Sequence, residues 1–152
     1  MLKYKTMNLF DAPKDAILVH ACNAKGVWGS GIAAEFHRRY PKAFKEYNRY
    51  CKNFGLVGTA PIVAEGDTRI GCLITSSGYA DTLDAQAEIL VNTTLALNAF
   101  CSNEYWAHFG KRQIYSNRFN SGLFKVPWSE TERILKVFVE RFDLDWTVCD
   151  HK

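Results

Sequence analysis

Three side chains that could take part in chemistry follow one short apolar run near the N-terminal end of the chain. The run covers residues 17–19, and His20, Cys22 and Asn23 come directly after it. An imidazole has an unperturbed pKa near 6.5, so it can give or take a proton close to neutral pH. We therefore take His20 and Asn23 as candidate catalytic residues. Cys22 is interpreted as a packed thiol, because no feature of the sequence lowers its pKa.

A glycine-rich loop, GVWGSG, follows at residues 26–31 and leads into an amphipathic helix. Glycines let backbone N–H groups approach an anion, and the start of a helix adds about half an elementary positive charge. The loop lacks the Lys-Ser/Thr ending of an ATPase phosphate loop, and the acidic ribose-binding residue of a dinucleotide fold is not evident. The pattern favours a site for a phosphorylated, nucleotide-like ligand. A tight turn that binds nothing is the alternative.

A second loop of small residues, Asn120-Ser121-Gly122-Leu123-Phe124, comes after a predicted strand at Gln113–Ser116. In open α/β sheets, strand ends of this kind gather at one edge, where ligands bind. Two glycine loops on either side of one cleft could hold the two phosphates of a pyrophosphate. We therefore predict that the two loops lie close together.

The rest of the pattern predicts strands and helices in alternation, which favours a three-layer α/β/α sandwich with a central mixed sheet. Pro41 is expected to break a helical region at Tyr40, and Ser129 is expected to open the last helix through a capping box with Glu132. The predicted strands are residues 2–6, 16–19, 58–64, 69–75, 113–116 and 146–149, the middle pair forming a hairpin. The predicted helices are residues 32–54, 84 to about 108, and one beginning at 129.

Composition fits one domain spanning residues 1–152, with 47% hydrophobic and 23% charged residues as in ordinary globular proteins. The net charge of +3 tolerates an anionic ligand but shows no clustered basic face, so no nucleic-acid partner is expected. Five cysteines without a CxxC pair or a histidine at a typical ligand spacing predict no metal site. The chain has no recognisable secretory signal or membrane-length apolar run, which predicts an intracellular, cytoplasmic protein, with the nucleus possible.

The segments HACNAKGVWGSGIA, RYPKAFKEY and FNSGLFKVPWSETER together resemble the macrodomain family. More narrowly, they are similar to its yeast-type branch of ADP-ribose-1″-phosphate phosphatases. The resemblance extends from MNLF to the last predicted strand, and the two loop motifs stand in the right order about a hundred residues apart. It implies a cleft for ADP-ribose at the top of a mixed sheet that is covered by helices.

The resemblance also implies roles for individual residues. Asn8 stands where many macrodomains carry an aspartate that bonds the adenine amino group, and Leu9 would add backbone contacts. Asn23 matches the asparagine that orients the distal ribose, and His20 stands where the phosphatase-like branch has a histidine. Phe124 would lie against the distal ribose. The residues that match the two phosphate loops are Gly29, Ser30, Gly31 and Ile32, and then Ser121, Gly122, Leu123 and Phe124.

The activity that the resemblance implies is hydrolysis of ADP-ribose-1″-phosphate to ADP-ribose and phosphate, with no cofactor or metal. His20 would protonate the departing oxygen or hold the attacking water. Two alternatives stay open, a non-catalytic module that binds ADP-ribose and a hydrolase that removes ADP-ribose from modified proteins. A branch that cleaves ADP-ribose from glutamate uses a lysine and an aspartate, where this chain has Ser76 and Phe124. We expect a monomer with a small-molecule ligand.

Overall fold

The computed structural model describes residues 1–106, 110 and 113–151, and its described strands form one six-stranded sheet. The strand order is β1-β6-β5-β2-β4-β3, in which β3 runs antiparallel to β4 and the other neighbours are parallel. This is the predicted mixed sheet. The strands are β1 (Leu2–Thr6), β2 (Ile17–Asn23), β3 (Ile62–Glu65), β4 (Thr68–Ser76), β5 (Gln113–Ser116) and β6 (Asp145–Asp150).

The helices of the described residues are α1 (Gly31–Arg39), α2 (Pro41–Asn53), α3 (Gln86–Cys101) and α4 (Trp128–Arg141), with short 3₁₀ turns at Leu9–Asp11 and Ala80–Thr82. The predicted break before Pro41 is confirmed, since α1 ends at Arg39 and Pro41 is the first residue of α2. Proline fits that position because the N–H it lacks would have no helical partner there. Within the described ranges, no helix has both the length and the apolar character needed to cross a membrane.

Two hydrophobic cores lie on opposite faces of the sheet and make the fold a three-layer α/β/α sandwich. On one face, α1 and α2 pack through side chains such as Phe36, which is fully buried. On the other face, α3 and α4 pack through side chains such as Phe100, also fully buried. The strands serve both cores by alternation, since Leu18 belongs to the first and Val19 to the second.

Strand β2 extends to Asn23 and not to Val19 as predicted. Its polar end pairs with β4, with His20 opposite Cys72 and Cys22 opposite Ile74. A single sequence does not show this pairing, because the partner strand lies about fifty residues away. The longer strand matters for the site, since His20 becomes a strand residue and not the first residue of a loop.

The predicted capping box of the last helix is wrong. Helix α4 begins at Trp128 with Pro127 as its N-cap, and no side chain caps it. The carboxylate of Glu132 instead accepts a hydrogen bond from the Tyr4 hydroxyl and lies 3.6 Å from Lys136 Nζ. The rigid φ of Pro127 sets the start of the helix, so the serine that would have capped it is already inside.

Helix α3 is shorter than predicted, because it ends at Cys101. The expected continuation to His108 falls partly outside the described residues, which omit 107–109. In the part that is described, Trp106 packs edge-on against Phe100 and donates its Nε1–H to the Phe100 carbonyl at 2.7 Å. Trp106 therefore packs inward against α3.

Gly71 of β4 leaves the space into which helix α3 packs. A Cβ at this position would lie 2.7 Å from Phe100 Cε1 and 3.1 Å from Val19 Cγ2. We expect Gly71→Ala to lower the free energy of unfolding by about 1–3 kcal/mol, the usual cost of overpacking a core. Urea denaturation measures the change. Gly122→Ala is the control, because a Cβ there meets no atom within 4 Å, and equal loss in both variants would contradict this packing.

Candidate functional site

A cavity of about 430 Å³ opens at the carboxyl ends of β2 and β5. This volume is within the range of about 300–1000 Å³ typical of small-molecule sites. Its walls come from four segments: the end of β2, the loop before α1, the turn after β4, and the segment between β5 and α4. The position agrees with the general rule that ligands bind beyond the carboxyl ends of parallel strands.

The first glycine loop forms one wall of the cavity, which Gly29, Ser30, Gly31 and Ile32 all line. Helix α1 begins here with Ser30 as its N-cap, but no side chain caps the helix and its first turn holds no acidic residue. The first backbone N–H groups of a helix have no partners within the helix. Together with the helix dipole they form an anion-binding position beside the cavity.

The second glycine loop forms the facing wall, where Gly122, Leu123 and Phe124 line the same cavity. The loops come within contact distance, since a Cβ on Gly31 would lie 3.5 Å from Leu123 Cδ1. The two loops therefore converge as predicted. Ser121 does not line the cavity, because its hydroxyl turns back and donates a hydrogen bond to the Arg118 carbonyl.

Asn120 holds the second loop in place from below. Its backbone has a φ of +69°, a left-handed conformation that asparagine tolerates better than most residues. Its Nδ2 donates to Thr93 Oγ1 at 2.9 Å and to Thr131 Oγ1 at 3.3 Å, while its Oδ1 accepts from Thr75 Oγ1 at 2.8 Å. One buried amide thus ties the loop to β4, α3 and α4.

Asn23 lies in the cavity wall, but its side chain is already engaged in shaping the first loop. Its Nδ2 donates to the Val27 carbonyl at 2.8 Å, and its Oδ1 accepts from the Lys25 N–H at 3.0 Å. The Tyr47 hydroxyl donates to its backbone carbonyl. In this arrangement Asn23 positions the loop, and its predicted contact with a ligand stays a prediction.

His20 does not line the cavity, so the expectation that it faces the ligand edge is wrong. The residue is fully buried. Its ring stacks on Phe36 with centroids 4.1 Å apart and meets Trp28 edge-on at 4.9 Å. The physical reason is the length of β2, because strand alternation turns His20 into the α1/α2 layer.

Cys22, which also points into that layer, forms part of the cavity wall and contacts His20. Its Sγ lies 3.5 Å from His20 Nε2. The three side-chain atoms that could coordinate a metal ion, a ring nitrogen of His20 and the sulfurs of Cys22 and Cys72, all lie within 4.8 Å of one another. The spacing argument missed this cluster because Cys72 comes from β4. Burial alone raises the pKa of Cys22, but hydrogen bonding from Cys72 and the neighbouring His20 and Trp28 lower it to about 5.

The residues matched to an adenine contact, Asn8 and Leu9, do not line the cavity. The Asn8 side chain caps a 3₁₀ turn by accepting the Phe10 N–H at 2.9 Å, and Leu9 is buried in the first core. The carbonyl oxygen that was expected to meet adenine thus already has a partner. Any adenine contact by these two residues would form outside the cavity described here.

Sequence reasoning missed several polar residues of the cavity lining, among them Lys125, Asn117 and Tyr79. Among the described lining residues, Lys125 is the only lysine or arginine, and none carries a carboxylate. Asn117 carries a buried Oδ1 that has no hydrogen-bond partner within the described part of the chain. Lys125 directly follows the second loop, and Asn117 directly follows β5. These positions in the sequence could have indicated that both residues line the cavity.

These features define an α/β domain with an anion-binding cavity between two glycine loops. The chain belongs to the macrodomain family, because the family model for the Macro domain matches residues 19–135. Two similar proteins are ADP-ribose 1″-phosphate phosphatases. That of Candida albicans is 37% identical over 91% of this chain and 94% of its own length. That of Saccharomyces cerevisiae is 34% identical over 87% of this chain and 88% of its own length.

Solved structures show the same fold at lower sequence identity. The macrodomain of Mycobacterium tuberculosis DarG has a TM-score of 0.82 at 22% identity, covering 98% of this chain and 97% of that one. A macrodomain protein from Streptomyces coelicolor has a TM-score of 0.77 at 20% identity and covers both chains fully, at 100% of each. The expected macrodomain fold is confirmed.

Replacing Asn120 tests how the second loop is held. Asn120→Ala removes three buried hydrogen bonds, one to each of three threonine hydroxyls. At about 1 kcal/mol for each net bond, we expect the free energy of unfolding to fall by about 3 kcal/mol, measured by urea denaturation. Asn98→Ala on the exposed side of α3 is the matched control and should stay within about 0.5 kcal/mol. A similar small change at Asn120 would contradict its role.

Proposed function

We propose that this chain hydrolyses ADP-ribose-1″-phosphate to ADP-ribose and inorganic phosphate. One observation carries the proposal: two glycine loops from distant parts of the chain meet over a single cavity at the carboxyl ends of the sheet. The curated macrodomain relatives that cover most of this chain support the choice of substrate, since they are named for this activity. Membership of the macrodomain family and the shape of the site both support this function.

The electrostatics of the cavity suit a ligand that carries several phosphate charges. The start of α1 offers uncapped backbone N–H groups on one side, and Lys125 stands in the lining with no carboxylate among the described lining residues. A diphosphate would lie along the first loop, where helix-start N–H groups favour negative charge. Lys125 would balance part of the charge of the diphosphate or of the terminal phosphate.

The sugar end of the ligand would lie among the polar and aromatic groups of the lining. Asn117 Oδ1 is a buried acceptor in need of a donor, and a ribose hydroxyl is such a donor. Phe124 lines the cavity, in keeping with the ribose contact that the family resemblance implies. Binding the ligand would satisfy an oxygen that otherwise costs about 1–3 kcal/mol to leave unpaired.

Catalytic roles for His20 and Asn23 stay predictions, and the geometry limits how they could act. His20 lies behind Cys22 and is stacked on Phe36, so direct proton transfer would require the imidazole to leave that position. Positioning of the substrate and a water can by itself contribute several kcal/mol to the rate. We therefore assign the larger share of catalysis to positioning by the two loops.

Turnover of ADP-ribose-1″-phosphate by the purified chain tests the proposed activity. We expect stoichiometric release of phosphate and ADP-ribose, followed by a phosphate assay and by chromatography of the nucleotide. Binding of ADP-ribose without phosphate release would contradict the phosphatase and favour a non-catalytic module. Loss of labelled ADP-ribose from a modified protein, with no activity on the small substrate, would favour the protein hydrolase.

Gly122→Val tests the cavity itself. A side chain here enters open space, since a Cβ meets no atom within 4 Å, and it narrows the space beside the second loop. We expect at least tenfold weaker ADP-ribose binding by calorimetry, with thermal stability unchanged. Gly31 is a poorer choice, because its φ of +56° makes any side chain strain the backbone.

The control for this variant introduces the same side chain away from the cavity. Thr94→Val lies on the exposed side of α3 and should leave ADP-ribose affinity as it is in the wild type. Undiminished affinity in Gly122→Val would show that the ligand does not enter between the loops.

A further inference from the structure

The cavity wall holds a cluster of side chains that the proposed hydrolysis does not use. Cys22 Sγ lies 3.5 Å from Nε2 and 3.8 Å from Nδ1 of His20. Cys72 stands opposite His20 on the neighbouring strand β4. A ring nitrogen of His20 and the sulfurs of Cys22 and Cys72 all lie within 4.8 Å of one another. Of the three residues only Cys22 also lines the cavity. The cluster therefore has one face toward the ligand space.

Trp28 supplies a second observation that points to the sulfur of Cys22. Its indole N–H is buried and has no hydrogen-bond partner in the described chain, and the residue is 1% exposed. An indole nitrogen can only donate, and a buried donor without an acceptor costs about 1–3 kcal/mol. The nearby Trp28 side chain is one of the groups that lower the pKa of Cys22. An ionised sulfur would give this N–H the acceptor it lacks.

The donors around Cys22 are consistent with a negative charge on its sulfur. His20 can donate a ring N–H, Cys72 can donate its S–H, and Trp28 can donate its indole N–H. His20 Nε2 lies 3.5 Å from the sulfur, and a ring N–H directed at a thiolate would reduce the cost of burying its charge. The group with the lowered pKa, at about 5, is Cys22, while burial raises the pKa of Cys72 well above its ordinary value.

Two of the other titratable groups near the cluster stay neutral in this arrangement. They come from α2, where Tyr47 and Cys51 face Cys22. Burial raises the pKa of Tyr47 beyond its ordinary value and that of Cys51 to about 11. Glu46, also on α2, acts on Cys72 from a distance and raises its pKa further. None of these groups provides a positive charge, so the nearest donors to the sulfur are His20, Cys72 and Trp28.

We propose that Cys22 is an ionised, nucleophilic thiol in the cavity wall and a site of covalent modification by small electrophiles, and that its modification blocks the ligand cavity. The last clause rests on the proposed function. With a haloacetamide, a sulfur–carbon bond forms while the carbon–halogen bond breaks and halide leaves. With a peroxide, a sulfur–oxygen bond forms while the oxygen–oxygen bond breaks, and the departing hydroxide takes a proton from the solvent and leaves as water.

The remaining cysteines provide the contrast that makes the site selective. Burial raises the pKa of Cys149 to about 11 and that of Cys101 to about 12. At pH 6.5 these thiols are almost wholly protonated, and the thiolate is the reactive form. Cys101 is the most exposed of the five cysteines. If accessibility alone set the rate of modification, Cys101 would react first, whereas if thiolate charge sets it, Cys22 reacts first.

Alkylation of the full chain with iodoacetamide, followed by mass spectrometry of its peptides, tests the proposal. At pH 6.5 we expect Cys22 to react about tenfold or more faster than Cys101, a factor lowered from the thiolate ratio by the weaker nucleophilicity of a low-pKa thiol. The rate at Cys22 should level off above about pH 6. A thiol of ordinary pKa near 8.5 would instead gain about tenfold per pH unit up to that pKa.

Two variants and a chelator complete the experiment. Cys101→Ser should leave the adduct at pH 6.5 unchanged, whereas His20→Gln should slow alkylation of Cys22 at least tenfold and shift its pH profile upward. Circular dichroism checks that each variant is folded. Labelling of Cys101 before Cys22 in the wild-type chain would overturn the proposal. So would labelling of Cys22 only after treatment with a chelator, since the three ligand groups would then be holding a metal ion.

Saturating ADP-ribose separates this proposal from the proposed function. We expect it to slow alkylation of Cys22 at least tenfold and to leave Cys101 unaffected, because a bound ligand fills the route to Cys22. We also expect the alkylated chain to lose ADP-ribose binding. Alkylation that ADP-ribose fails to slow would overturn the blocking of the cavity and count against this ligand, while the modified thiol itself would stand.

Discussion

Pairing of β2 with β4 along its whole length, as far as Asn23, is the constraint on which the rest of the site depends. It carries the polar residues of the strand to the edge of the sheet and fixes which of them face each layer. His20 and Cys22 enter the α1/α2 layer together because they are two residues apart. The register shifts between Cys22 and Asn23, so the chain leaves the sheet there and the first loop can begin. A strand ending at Val19 would have produced neither the loop geometry nor the cluster.

Amide side chains hold both glycine loops, and this choice affects the charge of the cavity. Asn23 and Asn48 secure the first loop, the latter by donating to the Gly26 carbonyl at 3.0 Å. Asn120 secures the second through the three threonine hydroxyls. An amide donates and accepts at once without a net charge. Carboxylates in these positions could brace the loops equally well, but they would oppose the phosphate groups that the loops are suited to bind.

Features set by local chemistry were predictable from the sequence. Pro41 determined the break between α1 and α2, and the glycine loops were located correctly because strand, loop and helix follow one another in the chain. The end of β2 was not predictable, since it depends on a strand fifty residues away. The predicted start of α4 was wrong for a related reason. Glu132 accepts a hydrogen bond from Tyr4 on the distant strand β1 and does not cap the nearby backbone.

The site residues also divide into those that the local sequence predicts and those that depend on distant segments. The loop residues were found because glycine at a strand end has a restricted set of uses. The adenine contact of Asn8 stays a prediction, and its oxygen already caps a 3₁₀ turn, a local use that competes with a ligand. The environment of Cys22 could not be foreseen, because the groups around its sulfur come from β2, β4 and the first loop. His20 is local to Cys22 on β2, but Cys72 and Trp28 reach that sulfur only when three separate segments have folded together.

Burial of this cluster also limits what His20 can do in catalysis. The imidazole is enclosed by Phe36 and Trp28, and Trp28 in turn stacks on Tyr47 at 4.9 Å. An isolated charge in such surroundings is costly to bury. Any acid–base step by His20 would therefore need a neighbour to balance its charge, and Cys22 is such a neighbour, with its Sγ 3.5 Å from His20 Nε2. Acid–base chemistry by His20 is thus tied to Cys22, and the histidine is not placed to act as an independent base.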